Sequence, residues 1–224
     1  MGRKKKLQHF AENLTFDNLF QYRYDQLIQQ EFKHKGKWHE FFGNKHPLIL
    51  ELGCGKGEYT IGLAKANPNK NYIGIDIKGA RIWRGLKTCQ DEGLTNVAFV
   101  RTRIELINFY FGPGEVDEIW ITFPDPQLQG SRERKRLTSE MFLQRYREFL
   151  KKDGIIHLKT DSEPLYTYTL EVIAENDHRL LFSTQNLYTH RGEEVVKSIQ
   201  TFYEKKWLAE SIPIKYLRYC LSHG

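Results

Sequence analysis

The chain is short of the residues and patterns that mark disulfide scaffolds, zinc proteins and membrane proteins. Only three of its 224 residues are cysteine. Cys54, Cys89 and Cys220 are widely separated, odd in number and form no Cys-x-x-Cys pair, so neither a disulfide framework nor a zinc site is expected. The eight histidines show no metal-ligand spacing. No apolar run approaches the length of a transmembrane helix, and the N-terminus lacks the apolar core of a secretory signal. Internal repeats and low-complexity linkers are missing as well. These absences leave the expectation of a reduced, cytoplasmic protein with no membrane or metal partner.

What is present fits one packed domain. At 224 residues, with 40% hydrophobic and 13% aromatic residues, the chain is long enough for a full core and too short for two comfortable domains. The formal net charge is +6. That suits a polyanionic partner, although many basic proteins bind no nucleic acid. Arg3-Lys4-Lys5-Lys6 opens the chain, Arg132, Arg134, Lys135 and Arg136 cluster later, and Arg145, Arg147, Lys205 and Lys206 add to the excess.

Residues 48–57 carry the most information: Leu48-Ile-Leu-Glu-Leu-Gly-Cys-Gly-Lys-Gly57. An apolar run reaches Glu51 and then three glycines, Gly53, Gly55 and Gly57, at alternate positions. The pattern predicts a buried strand, a tight loop that lets a ligand approach the backbone, and a helix from Glu58. The dinucleotide pattern G-x-G-x-x-G needs one more residue between its last glycines, which disfavours a dehydrogenase. Asp76 ends a second apolar run, 76 − 57 = 19 residues past the last glycine, where doubly wound sheets place the acid that accepts ribose hydroxyls. With Glu51 suited to an ammonium group, the combination describes S-adenosylmethionine. The alternative is a glycine loop that merely closes a strand–helix corner.

Beyond residue 47 the chain alternates between the two periodicities. Strands are predicted at 48–52, 72–76, 97–100, 118–123, 155–160, 180–183 and 214–221. Helices are predicted at 58–66, 79–92 (with Gly93 as C-cap), 139–152, 165–175 and 202–210, with a short one near 105–110. Residues 1–47 read as a helical, polar-aromatic extension with a frayed basic tip and no strand pattern. The fold class that follows is α/β: a doubly wound, mainly parallel seven-stranded sheet with helices on both faces, formed by a single domain over 48–224. Such sheets bind ligands beyond the C-terminal strand ends. Those ends carry Glu51, Asp76, Asp125 and Asp161, a costly gathering of like charges unless cationic or donor groups meet them.

The loop after the fourth predicted strand reads Phe123-Pro-Asp-Pro-Gln-Leu-Gln-Gly-Ser-Arg-Glu-Arg-Lys-Arg-Leu137. Two prolines fix the backbone around Asp125. A fixed carboxylate beside a cationic run suits a base and a phosphate, and guanine presents two N–H donors to a carboxylate. The same residues also read as an ordinary turn followed by a solvated charge run.

These motifs together resemble the bacterial tRNA (guanine-N7)-methyltransferase family. The likeness covers nearly everything beyond residue 35: Trp38-His-Glu-Phe-Phe-Gly-Asn44, Pro47–Gly57, Gly74-Ile-Asp76, Phe123-Pro-Asp-Pro126, Arg132-x-x-Lys135-Arg-Leu137, Lys159-Thr-Asp161 and Thr201-Phe-Tyr-Glu204. The resemblance implies a Rossmann-like enzyme that makes 7-methylguanosine at a variable-loop guanine (position 46) of tRNA. It implies S-adenosylmethionine as cofactor, held by Glu51, Gly53, Gly55, Gly57, Asp76, Arg103, Ile104 and Asp125. It implies Asp125 as the catalytic acid beside the methyl group. The tRNA would be bound by Gln129, Arg132, Arg134, Lys135, Arg136, Asp161, Thr201 and Glu204, with the basic N-terminal tip associated with the RNA. Family members differ in oligomeric state, which leaves monomer and homodimer open. Arg103 stands where the family has an Asp near the adenine, and Gln129 where it has a Lys. Adenine recognition therefore falls to backbone groups or another side chain, because an arginine offers the amino group no acceptor. Competing classes are another S-adenosylmethionine-dependent RNA methyltransferase, a protein or small-molecule methyltransferase, which gives no reason for the basic loop, and a decayed, RNA-binding homologue.

Overall fold

The computed structural model describes residues 3–222, with side chains from Leu7 onward. The side chains of Arg3 to Lys6, in the basic tip, lie outside the described residues. The chain forms two compact units, one up to Phe111 and one from Gly112.

The first unit contains α1 (Arg3–Glu12), β1 (Leu19–Phe20), α2 (Tyr24–Gln29), α3 (Trp38–Phe42), β2 (Leu48–Leu52), α4 (Glu58–Ala66), β3 (Asn71–Asp76), α5 (Gly79–Glu92) and β4 (Val97–Arg101). A 3₁₀ turn, Ile104–Phe109, follows. The strands lie in the order β1-β4-β3-β2, and every pairing is parallel. All five β2 residues are buried, the pattern of a parallel strand covered on both faces. Helix α5 buries Ile82, Leu86 and Cys89, spaced four and three residues apart on one face, and stops at Gly93 in the left-handed region (φ 65°). The Trp38 segment noted in the sequence is a packing element. Trp38 is buried against Phe20, Phe32, Phe41 and Phe111, and its indole N–H donates to the Tyr110 carbonyl at 3.0 Å.

The second unit contains β5 (Val116–Thr122), α6 (Glu140–Arg147), β6 (Leu150–Thr160), α7 (Glu163–Glu175), β7 (Arg179–Thr184), α8 (Glu194–Ser198), α9 (Phe202–Ala209) and β8 (Lys215–Cys220). β5 and β6 are parallel. β8 runs antiparallel to both β6 and β7, giving the order β5-β6-β8-β7.

Three expectations need correction. The extension before residue 48 contains a strand, β1, so the described residues form eight strands rather than seven. It is only two residues long, below the reach of any periodicity, and is held by Asn18, whose carbonyl accepts from Phe99 N–H at 2.8 Å. The helix expected to reach residue 152 ends at Arg147, and β6 begins at Leu150. The exposed stretch Lys151–Asp153 carries no strand alternation. A register shift between Val116 and Glu118 accommodates it, and Gly154 packs so closely on Leu150 that a Cβ there would lie 2.5 Å from Leu150 Cγ. Finally, the loop after β5 contains a 3₁₀ turn, Gly130–Lys135.

Candidate active site

In the first unit, β2 delivers the chain into the glycine loop. Gly53, Gly55 and Gly57 have φ values of 75°, 57° and 74°, a region open to glycine and costly for residues with a Cβ. The Ile75 carbonyl accepts from Gly53 N–H at 2.8 Å and from Cys54 N–H at 3.0 Å, which ties the loop to β3. Gly57 closes against the Phe99 ring: a Cβ at Gly57, Gly74 or Gly85 would lie within 2.8 Å of it. Phe99 is fully buried on β4, so three glycines from the loop, β3 and α5 surround one aromatic side chain.

Both acids of this unit serve the loop's own framework. Asp76 Oδ2 accepts from Gly55 N–H at 2.9 Å, and its Oδ1 accepts from Lys78 N–H at 2.7 Å. Glu51 is buried, and its Oε2 accepts from Thr60 N–H at 2.8 Å and from the Thr60 hydroxyl. Thr60 is the third residue of α4, whose N-cap Gly57 offers no side-chain acceptor, so Glu51 satisfies one of the N-terminal donors of that helix. Cys54, between the glycines, is buried. Burial first, and then the charges of Glu51 and Asp76, push its thiol well above the ordinary range, so it stays protonated and inert.

The residues fit S-adenosylmethionine. A Cβ at Gly53 or Gly55 would meet nothing within 4 Å, so the backbone there is open to a ligand. Beyond the ends of β3 and β4 lies a mostly apolar cleft of about 1150 Å³ lined by Ile77, Thr102, Arg103, Phe10, Tyr22 and Tyr24, among others. Arg103 is exposed on its edge, and Ile104 starts the 3₁₀ turn beside it. Ile77, Phe10 and the tyrosines carry no chemistry-bearing motif, so sequence reasoning passed over them. Ile77 was detectable only as an apolar residue directly after the acid at a strand end.

In the second unit, β5 ends in a strained turn. Phe123 (φ 47°) and Gln127 (φ 46°) occupy the left-handed region on either side of Asp125. Phe123 N–H donates to the Lys159 carbonyl at 2.8 Å. Asp125 is exposed, and its Oδ1 accepts from Gln127 N–H at 3.1 Å, so its carboxylate is aimed but open to solvent. Arg132, Arg134 and Lys135 are exposed on the 3₁₀ turn, and Gln129 is exposed directly before it. Arg136 faces back instead. It lies 4.2 Å from the Tyr168 ring centre and donates to the Pro126 and Gln127 carbonyls at 3.3 and 3.4 Å, bracing the Asp125 turn.

Asp161, half-buried after β6, lends its carbonyl to Lys215 Nζ at 3.2 Å. Thr201 caps α9 by accepting from Glu204 N–H at 3.2 Å. Glu204 is fully buried. Its Oε1 lies 2.7 Å from Lys159 Nζ and accepts from the Tyr188 hydroxyl at 2.7 Å. Burial, and then the Glu204 carboxylate beside it, push the Tyr188 hydroxyl above its ordinary range. Lys159 and Tyr188, the partners of Glu204, are not singled out by the sequence as candidates of their own. A lysine at the end of an otherwise apolar strand, Ile155-Ile-His-Leu-Lys159, requires a buried anion, and that was the available sign.

Among the described residues no group of three or more His, Cys, Asp or Glu is arranged to hold a metal, and no helix is long and apolar enough to cross a membrane.

Comparison with known proteins follows the same lines. A family model described as "Putative methyltransferase" matches residues 45–217. The tRNA (guanine-N(7)-)-methyltransferase of Christiangramia forsetii is 54% identical over 98% of this chain and 99% of its own length. That of Bacteroides thetaiotaomicron is 49% identical over 97% of this chain and 86% of its own. Among solved structures, the 16S rRNA methyltransferase KamB superposes with a TM-score of 0.64 at 15% identity, covering 87% of this chain and 96% of that one, a likeness of fold alone. The Rossmann-like methyltransferase fold read from strand and helix order is thus confirmed, and the chain belongs to the tRNA (guanine-N7)-methyltransferase family.

Proposed function

We propose that this chain transfers the methyl group of S-adenosylmethionine to N7 of a variable-loop guanine, position 46, of tRNA. The observation that carries the reading is 54% identity along 98% of the chain to a tRNA (guanine-N(7)-)-methyltransferase. The glycine loop supports the cofactor half of it, because Gly53 and Gly55, both at positive φ, leave open backbone beside Asp76.

The cofactor brings an already activated sulfonium methyl, so the hard chemistry is supplied with it. Guanine N7 has a free lone pair and needs no base to deprotonate it. The protein's work is therefore binding, alignment and charge. Glu51 and Asp76 hold the loop and α4 in place, and with Gly53, Gly55, Gly57, Arg103 and Ile104 form the cofactor side. Asp125, fixed between two prolines, faces the guanine and stabilises the positive charge that develops on its imidazole ring. Alignment of N7 with the methyl carbon is the larger contribution. Arg132, Arg134 and Lys135 grip phosphates, Gln129, Asp161 and Thr201 complete the base-side contacts, and Arg136 and Glu204 act on the substrate through the turns they hold. The guanine must be unstacked, or already exposed, to be reached. The enzyme would work in the cytoplasm, as a monomer or homodimer.

The test is to incubate unmodified tRNA transcripts with labelled S-adenosylmethionine and map the product by aniline cleavage. One cleavage at the variable-loop guanine is expected. Label without cleavage there, or no label, would overturn the reading.

A further inference from the structure

Among the described residues twelve large apolar or aromatic side chains are at least a third exposed, and four of them, Leu14, Tyr22, Tyr24 and Ile77, line one cleft in the first unit. Exposed apolar surface gathered in a concavity is the mark of a binding site. Ile77 follows Asp76 directly, and Thr102 and Arg103 follow β4, so one side of the cleft is made of strand ends. Leu14, Tyr22, Tyr24 and Phe10 come from the N-terminal segment.

Arg101 joins the two sides. From the last position of β4 its Nε donates to the Ile77 carbonyl at 3.3 Å and its Nη1 to Gln21 Oε1 at 3.2 Å. Its guanidinium carbon lies 5.0 Å from the Phe10 ring centre. Gly79 makes room for this: a Cβ there would lie 2.9 Å from Arg101 and 3.1 Å from Phe10. The segment is seated firmly. Buried Asn13 donates to the Gly79 carbonyl at 2.9 Å, and the His9 ring stacks on Trp83 at 3.7 Å.

We infer that the N-terminal segment supplies the aromatic wall of the cofactor's adenine subsite, with Phe10 and Tyr22 against the base and Arg101 as the positioning residue that holds them there. Adenine is flat and apolar on its faces, and aromatic side chains bind such faces without needing the acceptor that Arg103 cannot offer. The inference rests on the reading of this chain as an S-adenosylmethionine-dependent enzyme. It assigns the N-terminal segment to cofactor binding, apart from any role in holding RNA.

Titration calorimetry on the full-length chain tests it with two probes, S-adenosylhomocysteine and 5′-methylthioadenosine, which share the adenosine half. Phe10→Ala and Tyr22→Ala should each weaken both probes by about tenfold, the usual loss of one base–aromatic stack. Phe10→Tyr should restore them. Trp83 fluorescence checks that α1 stays seated. Tyr22 is partly exposed, so its truncation spares the core and remains readable should Phe10→Ala fail to fold. Wild-type affinity for both probes in folded Phe10→Ala and Tyr22→Ala overturns the inference and leaves the methyltransferase reading intact. A wild-type chain that binds neither probe removes both.

Discussion

Lys159 Nζ and Glu204 Oε1 lie 2.7 Å apart, and neither side chain has any solvent exposure. Lys159 also donates to the Val196 and Ile199 carbonyls at 2.8 and 3.2 Å, so one ammonium group ties the segment before α9 to the end of β6. Removing one member of such a pair strands a buried charge, which costs about 3–5 kcal/mol. Glu204→Ala is therefore expected to lower the free energy of unfolding, measured by urea titration, by that amount. Lys159→Met with Glu204→Leu should recover most of the loss. If the single substitution left stability unchanged while weakening tRNA binding, Glu204 would be a direct substrate contact.

Asp125 carries a different expectation. Asn at this position can still accept from Gln127 N–H, so Asp125→Asn keeps the turn and removes only the charge. Single-turnover methyl transfer should fall by about 10²–10³-fold, with S-adenosylhomocysteine affinity unchanged. A rate within twofold of wild type would exclude a charge-stabilising role.

The exposed cations of the 3₁₀ turn should act through phosphates. Replacing Arg132, Arg134 and Lys135 by Ala should weaken tRNA binding, and should reduce the slope of log K against log salt by up to about 3, roughly one per lost contact. Filter binding at several salt concentrations measures this. An unaltered slope would make the turn a solvated surface.

Stability should also depend on pH through His178. Its Nδ1 accepts from Ser222 N–H at 3.2 Å, which requires the neutral ring, and burial lowers its pKa from 6.5, with the nearby Arg147 acting in the same direction. His34 is shifted the same way, chiefly by burial. A histidine depressed in the folded state costs nothing at pH 8. Its penalty grows as pH falls below 6.5, where the unfolded chain takes up the proton first. The thermal midpoint should therefore drop between pH 7 and 5.5, and less steeply in His178→Gln. Parallel curves for the two proteins would place the pH dependence elsewhere.

The fold and the site were not equally legible in the sequence. The runs ending at Glu51 and Asp76 are long, apolar and closed by glycine or acid, so strand, loop and acid were all readable from local pattern. β1 was not, since Leu19–Phe20 becomes a strand only through Asn18 and Phe99, 81 residues apart. The end of α6 was obscured because Lys151–Asp153 suits an exposed helix turn as well as an exposed strand bend. The sequence marks candidate site residues, but not the partners they have in the fold. The sequence marks Arg136 and Glu204 as polar groups near a site, while their contacts with Tyr168 and Lys159 depend on tertiary packing that no local window contains.

The socket around Phe99 constrains how this chain can vary. Gly57, Gly74 and Gly85 come from three separate elements, yet the same ring forbids a side chain at each. Gly74→Ala or Gly85→Ala introduced alone collides with the ring, and Phe99→Leu alone leaves a void. Shrinking the ring relieves only part of the collision, because a Cβ at Gly74 would also lie 2.9 Å from Cys54 Sγ and one at Gly85 3.0 Å from the Lys56 carbonyl oxygen, while Gly57 keeps a positive φ of 74°. The four positions are therefore coupled through one ring, and should vary as a linked set rather than singly.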